Sequence, residues 1–239
     1  MQFTTTRGTG PRIEIPAEGI REEMAFWEGW FRSKGGAEAE EYRRRLDPLE
    51  PLQPYVAELL TQPPGARVEV LDVGAGPLTW LGKVLPRRDL RITAIDPLAP
   101  YYDGVLAELG VEPPVRTRFG RAEAVLEDAG RNRFDLVHAR NCIDHCQDPV
   151  AAIDQLVAAA RDGAYVFMHH ATNEADAQNF GGFHQWNLFA ENGHLMVANR
   201  TRTTDVSQRL APIANVETTL HSDGQWMVNV IRKRARTGR

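Results

Sequence analysis

The sequence has few of the features that mark several large classes of protein. It contains only two cysteines, Cys142 and Cys146, in 239 residues, too few for a disulfide framework or a four-cysteine zinc site. We expect both to be small buried side chains in a reducing compartment. No apolar run approaches the roughly 18 residues of a membrane-spanning helix, and the N-terminal segment lacks the apolar stretch of a signal peptide. These absences predict a cytoplasmic protein with no membrane partner.

The chain also lacks a strong excess of charge of either sign. Lys and Arg number 28 against 32 Asp and Glu, which gives a formal net charge of −4. That balance provides no long-range attraction to nucleic acid or to an anionic membrane, and no basic stripe provides one locally. The sequence therefore predicts a small-molecule substrate and no nucleic-acid partner, and it does not predict the oligomeric state.

Apolar periodicity divides the chain into a helical N-terminal part and an alternating remainder. Residues 1–18 are polar and indicate a loose arm. Amphipathic spacing then predicts three helices, over 20–31, 37–46 and 52–60. The length suits one structural domain, in which 1–64 form the arm and a helical cap and 65–239 form the main body.

From Val68 onward, short apolar runs alternate with helical stretches. The predicted strands are 68–73, 90–95, 115–119, 134–138 and 164–169. The predicted helices are 78–85, 102–109, 122–129 and 150–160. This alternation predicts an α/β fold with a mostly parallel sheet and helices on both faces. Two final runs, 216–220 and 226–231, are joined by a turn containing Asp-Gly and predict an antiparallel C-terminal hairpin.

The stretch LDVGAG at residues 71–76 directly follows the first predicted strand. Gly74 and Gly76 permit the sharp turn and close backbone approach that a nucleotide requires. Asp96, at the end of the second predicted strand, is placed to accept hydrogen bonds from both ribose hydroxyls. A dinucleotide would favour glycine at position 79, where this chain has Thr79, and its pyrophosphate would be repelled by Asp72. These two residues favour S-adenosylmethionine over a dinucleotide.

Three motifs, LDVGAG at 71–76, AIDPL at 94–98 and FDLVHARNCIDHCQDP at 134–149, together resemble the class I S-adenosylmethionine-dependent methyltransferases. The resemblance extends over roughly residues 68–233. It implies a Rossmann-like three-layer sandwich with a seven-stranded sheet whose last strand is antiparallel, which agrees with the C-terminal hairpin. It also implies S-adenosyl-L-methionine as the cofactor.

The same resemblance assigns cofactor contacts to positions within these motifs. The methionine end is assigned to Asp72, Gly74, Ala75 and Gly76, the ribose to Asp96 and Pro97, and the space beneath the sulfonium to Arg140 and Asn141. The adenine position departs from the family pattern, because Gly120-Arg121-Ala122 replaces the usual acid beside the alanine. We therefore assign the adenine contact to Ala122 and Glu123. Arg45, in a basic run, is predicted to reach the cofactor carboxylate or an acidic substrate.

Histidines provide the candidates for chemistry. An alcohol or amine must lose a proton when it accepts a methyl group, and a histidine at the mouth of the site is a suitable general base. We predict two catalytic residues: His145, four residues after Asn141, and His169, at the end of the fifth predicted strand.

The segment 169–187 is densely polar and leaves the carboxyl end of the fifth predicted strand, where ligands bind in open α/β sheets. Two interpretations are open. One is a substrate pocket formed with Trp30, His170, His184, Trp186 and Asn187. The other is a divalent-metal site drawing on Asp144, Glu174, Asp176 and the histidines. Because no spacing matches a known metal motif, we predict the substrate pocket and assign no metal.

The predicted function is methylation of a small molecule, with O-methylation of a polar metabolite, sugar or natural product as the first choice. Three alternatives are retained. They are N- or S-methylation of a small molecule, a non-catalytic protein that binds the cofactor, and a nicotinamide-dependent oxidoreductase, which Thr79 disfavours.

Overall fold

The computed structural model describes residues 17–235, so the arm predicted over residues 1–18 lies almost wholly outside the described part. Within residues 17–235, seven strands form one sheet and three strands form a second, smaller sheet. No described helix has the length and apolar character needed to cross a membrane.

Helices and strands alternate along the main body. The α-helices of the described residues are α1 (Ala17–Arg32), α2 (Ala39–Leu46), α3 (Pro54–Ala57), α4 (Ala99–Leu109), α5 (Val125–Asp128), α6 (Pro149–Ala159), α7 (Glu174–Ala177) and α8 (Val206–Leu210). The strands are β1 (Arg67–Val73), β2 (Asp89–Asp96), β3 (Arg118–Phe119), β4 (Phe134–Arg140), β5 (Ala160–Ala171), β6 (Asn187–Glu191), β7 (His194–Ala198), β8 (Thr203–Asp205), β9 (Ala214–Leu220) and β10 (Trp226–Lys233). Short 3₁₀ helices span Gly36–Glu38, Ala122–Ala124 and Ile143–His145.

The large sheet has the strand order β3-β2-β1-β4-β5-β10-β9. Strands β1 to β5 pair in parallel, whereas β10 runs antiparallel to both of its neighbours, β5 and β9. Parallel neighbours need long crossover connections, while an antiparallel pair can be joined by a tight turn, here at Asp223-Gly224. The predicted seven-stranded, mostly parallel Rossmann-like sheet with its antiparallel C-terminal hairpin is therefore confirmed.

Apolar side chains on both faces of the sheet are buried. In β1, Leu71 and Val73 pack on the face that carries α6, while Val68 and Val70 pack on the face that carries α3. Successive side chains of a strand point to opposite faces, so a continuous apolar run is what a strand covered on both sides requires. The carboxyl ends of β1, β2 and β4 remain uncovered by this packing and are free to form a site.

The predicted cap helices form as α1 and α2. Trp27, Trp30 and Phe31 of α1 are buried in one cluster with Leu98 and Tyr102, which belong to the region of α4. Phe26, at the margin of this buried face, is 56% exposed and lines the cavity described below. The aromatic stripe thus attaches the cap to the main body beside the end of β2.

No helix forms over 78–85, where the sequence predicted one. Backbone N–H groups of this segment donate to residues outside it: Gly82 N to Gln53 Oε1 (3.2 Å) and Lys83 N to Glu50 O (2.7 Å). Buried backbone N–H groups need hydrogen-bond partners, and here the segment before α3 provides acceptors. The N–H groups of 78–85 therefore do not need the carbonyl acceptors that a helix would supply. The apolar spacing that resembled a helix reflects burial of Leu78, Leu81 and Leu85.

Three other predicted elements are shorter than expected. The helix predicted over 52–60 is only the single turn of α3, and the helix predicted over 122–129 is divided into a 3₁₀ turn and α5. The strand predicted over 115–119 contributes two residues, which pair with Ile95 and Asp96 of β2. This strand lies at the edge of the sheet, so it forms backbone hydrogen bonds with a neighbouring strand on one side only.

The second sheet, with the order β6-β7-β8, was not predicted. Its first two strands are antiparallel and are joined by Asn192-Gly193, with φ angles of 52° and 79°. Two successive residues with positive φ are what a two-residue hairpin turn demands, and Asn-Gly is its strongest sequence signal. The polar segment 169–187 leads directly into β6, so the small sheet holds the end of that segment in place.

The docking of 78–85 on the segment before α3 leads to a test of stability. A Cβ at Gly82 would overlap the carbonyl oxygen of Pro51, whereas a Cβ at Gly104, in α4, would meet nothing. We expect Gly82→Ala to lower the free energy of unfolding by about 3 kcal/mol, because backbone would have to move. Gly104→Ala should raise it by about 0.5–1 kcal/mol through helix propensity. Urea unfolding of both variants measures this, and equal stabilities would contradict the docking.

Candidate active site

A cavity of about 810 Å³ lies at the carboxyl ends of β1, β2 and β4, under the cap. All the residues predicted to contact the cofactor line it: Arg45, Asp72, Gly74, Ala75, Gly76, Asp96, Pro97, Ala122, Glu123, Arg140 and Asn141. Three of the other predicted residues, Trp30, His145 and His184, line it as well. The cavity therefore brings most of the candidate site together, while contacts to a ligand stay a prediction.

The glycine loop has a backbone that a larger residue would strain. Gly74 and Gly76 have φ angles of 64° and 63°, in the left-handed region. A Cβ at Gly74 would overlap the side chain of Cys142, and a Cβ at Gly76 would lie 2.8 Å from the ring of Trp27. The glycines are thus required by the turn and by packing of Cys142, which follows β4, and of α1 against the loop, in addition to any ligand.

Asp72, at the end of β1, is a buried carboxylate with partners on two elements. His138 Nδ1 of β4 lies 2.6 Å from its Oδ1, and Thr79 Oγ1 donates a short hydrogen bond to its Oδ2. Thr79 Oγ1 also accepts from Leu81 N at 3.1 Å. Thr79 therefore has a structural reason to replace glycine here, since it bonds to Asp72 and anchors the irregular segment that follows the loop.

Asp96, at the end of β2, faces the same loop. Its Oδ2 accepts from Gly76 N at 3.0 Å and its Oδ1 accepts from Leu98 N at 2.8 Å. Each carboxylate oxygen can accept a second hydrogen bond, so capacity for two hydroxyl donors remains. Burial raises the pKa of Asp96 to about 6, although the two backbone donors act in the opposite direction.

Arg45 is buried between the cap and the main body. Its guanidinium pairs with Glu41, with 3.0 Å from Nε to Oε1, and Nη1 donates to Leu78 O at 2.9 Å. It also lies over the rings of Trp27 and Trp30, 5.5 and 5.4 Å from their centroids. Its charge is therefore already neutralised by a neighbouring acid and held against aromatic rings.

Arg140, at the end of β4, lies between two tryptophans. Its guanidinium is 4.9 Å from the ring centroid of Trp80 and 5.3 Å from that of Trp226. Its buried Nε has no hydrogen-bond partner among residues 17–235. Burial lowers the pKa of Arg140, and the charge of Glu41 opposes this effect. Arg140 thus carries a positive charge in the cavity wall that is less fully paired than that of Arg45.

The next residues form the remainder of the cavity wall. Asn141 adopts a left-handed conformation, with φ 46°, and its Oδ1 accepts from Ala171 N at 3.0 Å. Glu123 Oε1 accepts from Gln147 N at 2.8 Å, and Ala122 is buried beside it. These contacts connect the wall to the start of α6 and to the end of β5.

A separate polar cluster in the wall consists of Asp144, His145 and His184. His184 Nδ1 lies 2.8 Å from Asp144 Oδ2, His145 Nε2 lies 3.4 Å from the same oxygen, and the two ring nitrogens are 3.2 Å apart. Asp144 and His145 come from the 3₁₀ helix after β4, and His184 comes from the connection between α7 and β6. Glu174 Oε1 of α7 lies 3.9 Å from His184 Nδ1.

The charges of this cluster depend on one another. Burial alone would raise the pKa of Asp144, but the facing His145 and His184 outweigh it, so that pKa is lowered. Burial would lower the pKa of His184, but its hydrogen bond to Asp144 and the charge of Asp144 outweigh burial and raise it. Burial and the charge of Asp144 raise the pKa of Glu174. The cluster therefore concentrates negative charge that favours a bound proton or cation.

Four predicted residues do not line the cavity. His169 packs beside His221 and Trp226, with ring centroids 5.1 and 4.9 Å away. His170 is buried in the sheet, because it follows His169 on β5 and points to the opposite face. Trp186 is buried in the main core, and Asn187 Nδ2 donates to Asp176 Oδ2 at 2.9 Å, away from the converging side chains of Asp144, His145 and His184. Their predicted roles have no support from this placement.

Residues of the cavity wall that were absent from the prediction include His138, Trp80 and Trp226. His138 stacks between Trp80 and Phe167, with centroids 6.1 and 5.9 Å away. Its position in the motif LVHARN, two residues before Arg140, is a sequence signal, since alternate residues of a strand share a face. Trp80 lies only four residues after Gly76, so its closeness to the glycine loop was a usable signal, whereas Trp226 reaches the wall from a distant part of the chain and carries none.

The raised pKa of Asp96 gives a prediction for stability. Its value in an unfolded chain is about 4, so between about pH 4 and pH 6 the folded protein retains a proton that the unfolded chain has released. Stability then falls as the pH rises through this window, by about 3 kcal/mol for a shift of this size. Asp96→Asn stays neutral, and its free energy of unfolding should lack this fall.

Urea unfolding across this pH range measures the difference between the wild type and Asp96→Asn. Asp103→Asn is the control, because Asp103 lies at the surface and pairs with Arg116 at 2.9 Å. Parallel stability profiles for the wild type and Asp96→Asn would contradict the raised pKa.

Comparisons with known proteins bear on the family. Residues 39–209, well over half of the chain, match a family described as a methyltransferase domain. No curated protein sequence has significant similarity to this chain. The match includes the glycine loop, Asp96 and the Asp144 cluster, whereas the parts of the cavity wall that come from α1 and from Trp226 lie outside it.

Several solved structures share the fold. The carbon methyltransferase CurJ is 15% identical with a TM-score of 0.54, over 73% of this chain and 50% of that chain, so this chain spans half its length. An S-adenosylmethionine-dependent methyltransferase from Clostridium acetobutylicum ATCC 824 is 10% identical with a TM-score of 0.52, over 88% and 100%. The N-methyltransferase NodS from Bradyrhizobium japonicum WM9, in complex with S-adenosyl-L-homocysteine, is 15% identical with a TM-score of 0.50, over 90% and 96%.

At these identities the solved structures show the fold alone, and the family match carries the assignment. The resemblance found in the motifs, including the methyl donor that it implied, is confirmed. The chain belongs to the methyltransferase-domain family and is a class I S-adenosylmethionine-dependent methyltransferase.

Proposed function

We propose that this enzyme transfers a methyl group from S-adenosylmethionine to a hydroxyl oxygen of a small polar molecule. One observation carries the proposal: a single cavity is lined by the glycine loop and Asp96 and also by His145 and His184 of the polar cluster. The first group suits a nucleoside, and the second suits an acceptor that must lose a proton. A volume of about 810 Å³ lies within the ordinary range for small-molecule sites.

At the nucleoside end, we propose that Asp96 accepts both ribose hydroxyls. Its two oxygens already receive backbone N–H donors at 3.0 and 2.8 Å, which fix their orientation toward the loop. Ala122 and Glu123 remain our candidates for the adenine contact. Asp72 lines the cavity, but its oxygens are bonded to His138 and Thr79, so we propose that it holds the loop in place for the cofactor.

At the methionine end, we propose that Arg140 pairs with the cofactor carboxylate. Arg45, the residue predicted for this contact, is already paired with Glu41. Arg140 has a buried Nε without a partner in the described chain, and a guanidinium directly beneath a sulfonium would repel it. The carboxylate is the part of the cofactor whose charge complements Arg140.

At the acceptor end, the Asp144 cluster favours oxygen as the acceptor atom. Methyl transfer is an in-line displacement, so holding the nucleophile near the methyl group provides much of the rate. A hydroxyl must also lose its proton, and the carboxylate and imidazoles of the cluster supply negative charge and lone pairs that favour this loss. We propose the cytoplasm as the location, a proposal supported by the free thiols of Cys142 and Cys146.

Calorimetric titration with S-adenosylhomocysteine tests the cofactor end. We expect micromolar binding by the wild type. We expect the affinity of Asp96→Asn to be about tenfold lower or more, because an amide has one acceptor oxygen where a carboxylate has two. Asp103→Asn, at the surface, is the matched control. Equal affinity of all three proteins would refute the role of Asp96, and binding of reduced nicotinamide in its place would refute the assignment of the cofactor end.

A panel of small alcohols, amines and thiols tests the acceptor end. We expect S-adenosylhomocysteine to form with alcohols, with a methyl ether as the product, and we expect His145→Gln to slow this by about 10² or more. His194→Gln is the control, because His194 is half-exposed and pairs with Asp205 outside the cavity. Mass spectrometry identifies the product, and a methyl group on nitrogen or sulfur would contradict the proposal.

A further inference from the structure

We infer that Asp144, His145 and His184 form a binding site for a divalent first-row transition-metal ion. The inference deepens the proposed function and rests on it in one respect, namely that the ion would bind the acceptor hydroxyl. It reverses the expectation from sequence spacing, which assigned no metal. What spacing could not show is that His184, from a distant part of the chain, meets Asp144 and His145 in space.

The three ligand atoms have the separations that a metal ion imposes. Asp144 Oδ2, His145 Nε2 and His184 Nδ1 form a triangle with edges of 2.8, 3.2 and 3.4 Å. Ligands about 2.0–2.2 Å from an ion lie about 2.8–3.1 Å apart at neighbouring corners of an octahedron and about 3.3–3.6 Å apart at the corners of a tetrahedron. The triangle matches one face of such a polyhedron, so little movement would be needed to bind an ion.

Two carboxylate oxygens of Asp144 and Glu174 have no hydrogen-bond partner within the described chain. Asp144 is 3% exposed, and its second oxygen, Oδ1, is buried without a hydrogen-bond partner among residues 17–235. Glu174 Oε2 is likewise buried without one, and its other oxygen lies 3.9 Å from His184 Nδ1. Buried polar groups are normally paired, so the unpaired oxygen of the buried Asp144 favours a positive partner beside the two imidazoles.

The kind of ligand restricts the kind of ion. Two imidazoles with one carboxylate suit zinc, iron, cobalt, nickel or manganese, whereas magnesium and calcium prefer oxygen ligands. Two histidines and one carboxylate on one face also leave open positions, as in other catalytic metal sites. His145 and His184 line the cavity while Asp144 is buried behind them, so the open positions face the space available to an acceptor.

With an ion bound, the imidazole lone pairs of His145 and His184 would be its ligands, and the ion in their place would promote loss of the proton by lowering the pKa of a coordinated hydroxyl. The hydroxyl proton passes to water, and an oxygen lone pair forms the new bond to the methyl carbon. The carbon–sulfur bond breaks at the same time, and its electron pair neutralises the sulfonium to give S-adenosylhomocysteine. The substrate class is therefore an alcohol with an oxygen able to reach the ion, and no oxidant or reductant is needed.

Titration with Co²⁺ tests the site independently of activity. Full-length, tag-free protein is stripped with a chelator and titrated while the visible absorption of bound cobalt is recorded. We expect one equivalent to bind, and we expect His145→Gln and His184→Gln each to weaken binding by about tenfold or more. His194→Gln should bind as the wild type does, since His194 pairs with Asp205 at 2.7 Å away from the cavity.

Binding of S-adenosylhomocysteine by the same variants shows that each remains folded. Wild-type protein that binds this ligand but takes up no stoichiometric cobalt overturns the inference, as does unchanged cobalt binding in both cluster variants. The proposed function fails separately: if cobalt binds in the cluster but no alcohol is methylated, the metal site stands and O-methylation is refuted. Retained methylation by the metal-free protein refutes the catalytic part of the inference.

Discussion

The cavity depends on the hydrogen bonds that the buried carboxylate of Asp72 forms with its neighbours. Asp72 is 2% exposed at the end of β1, and a charge at such a depth is tolerated only when hydrogen-bonded. One partner, His138, lies directly beside it in the register of β4, and the other, Thr79, lies beyond the glycine loop. The loop is therefore held at both ends, and the carboxyl edge of two central strands is fixed together. An irregular segment can follow the loop because this anchoring replaces the helix that was expected there.

The cavity wall divides its charges into two arrangements. Arg45 and Arg140 both rest against tryptophan rings, which attract a cation, but Arg45 is also paired with Glu41 whereas Arg140 retains an unpaired buried Nε. The acids of the Asp144 cluster face imidazoles, whose protonation or coordination can vary. A charged cofactor needs fixed charges of opposite sign, whereas a neutral acceptor needs a group that favours loss of its proton. The cavity wall holds these two kinds of group in separate places.

The parts of the fold that follow from local patterns were predictable from the sequence. The alternation of strands and helices, the glycine loop and Asp96 depend on short-range periodicity or on spacing along the chain, and the observed sheet has them in the expected places. The failures are non-local. Residues 78–85 have helical spacing, but hydrogen-bond partners near Gln53 decide their conformation. His184 and His145 are 39 residues apart, so nothing local could distinguish His184 from Trp186, which is buried in the core.

Cys142 lines the cavity and packs against Gly74, and this position has a chemical consequence. S-adenosylmethionine is an alkylating agent, and a thiolate is among the strongest nucleophiles that a protein contains. Burial raises the pKa of Cys142 well above its ordinary value, as do the charges of Asp144, Asp96 and Asp72, and its Sγ donates to Val73 O at 3.2 Å. Burial first, and the acids of the site second, thus keep this sulfur protonated, which makes it a weaker nucleophile toward the methyl donor than a thiolate would be.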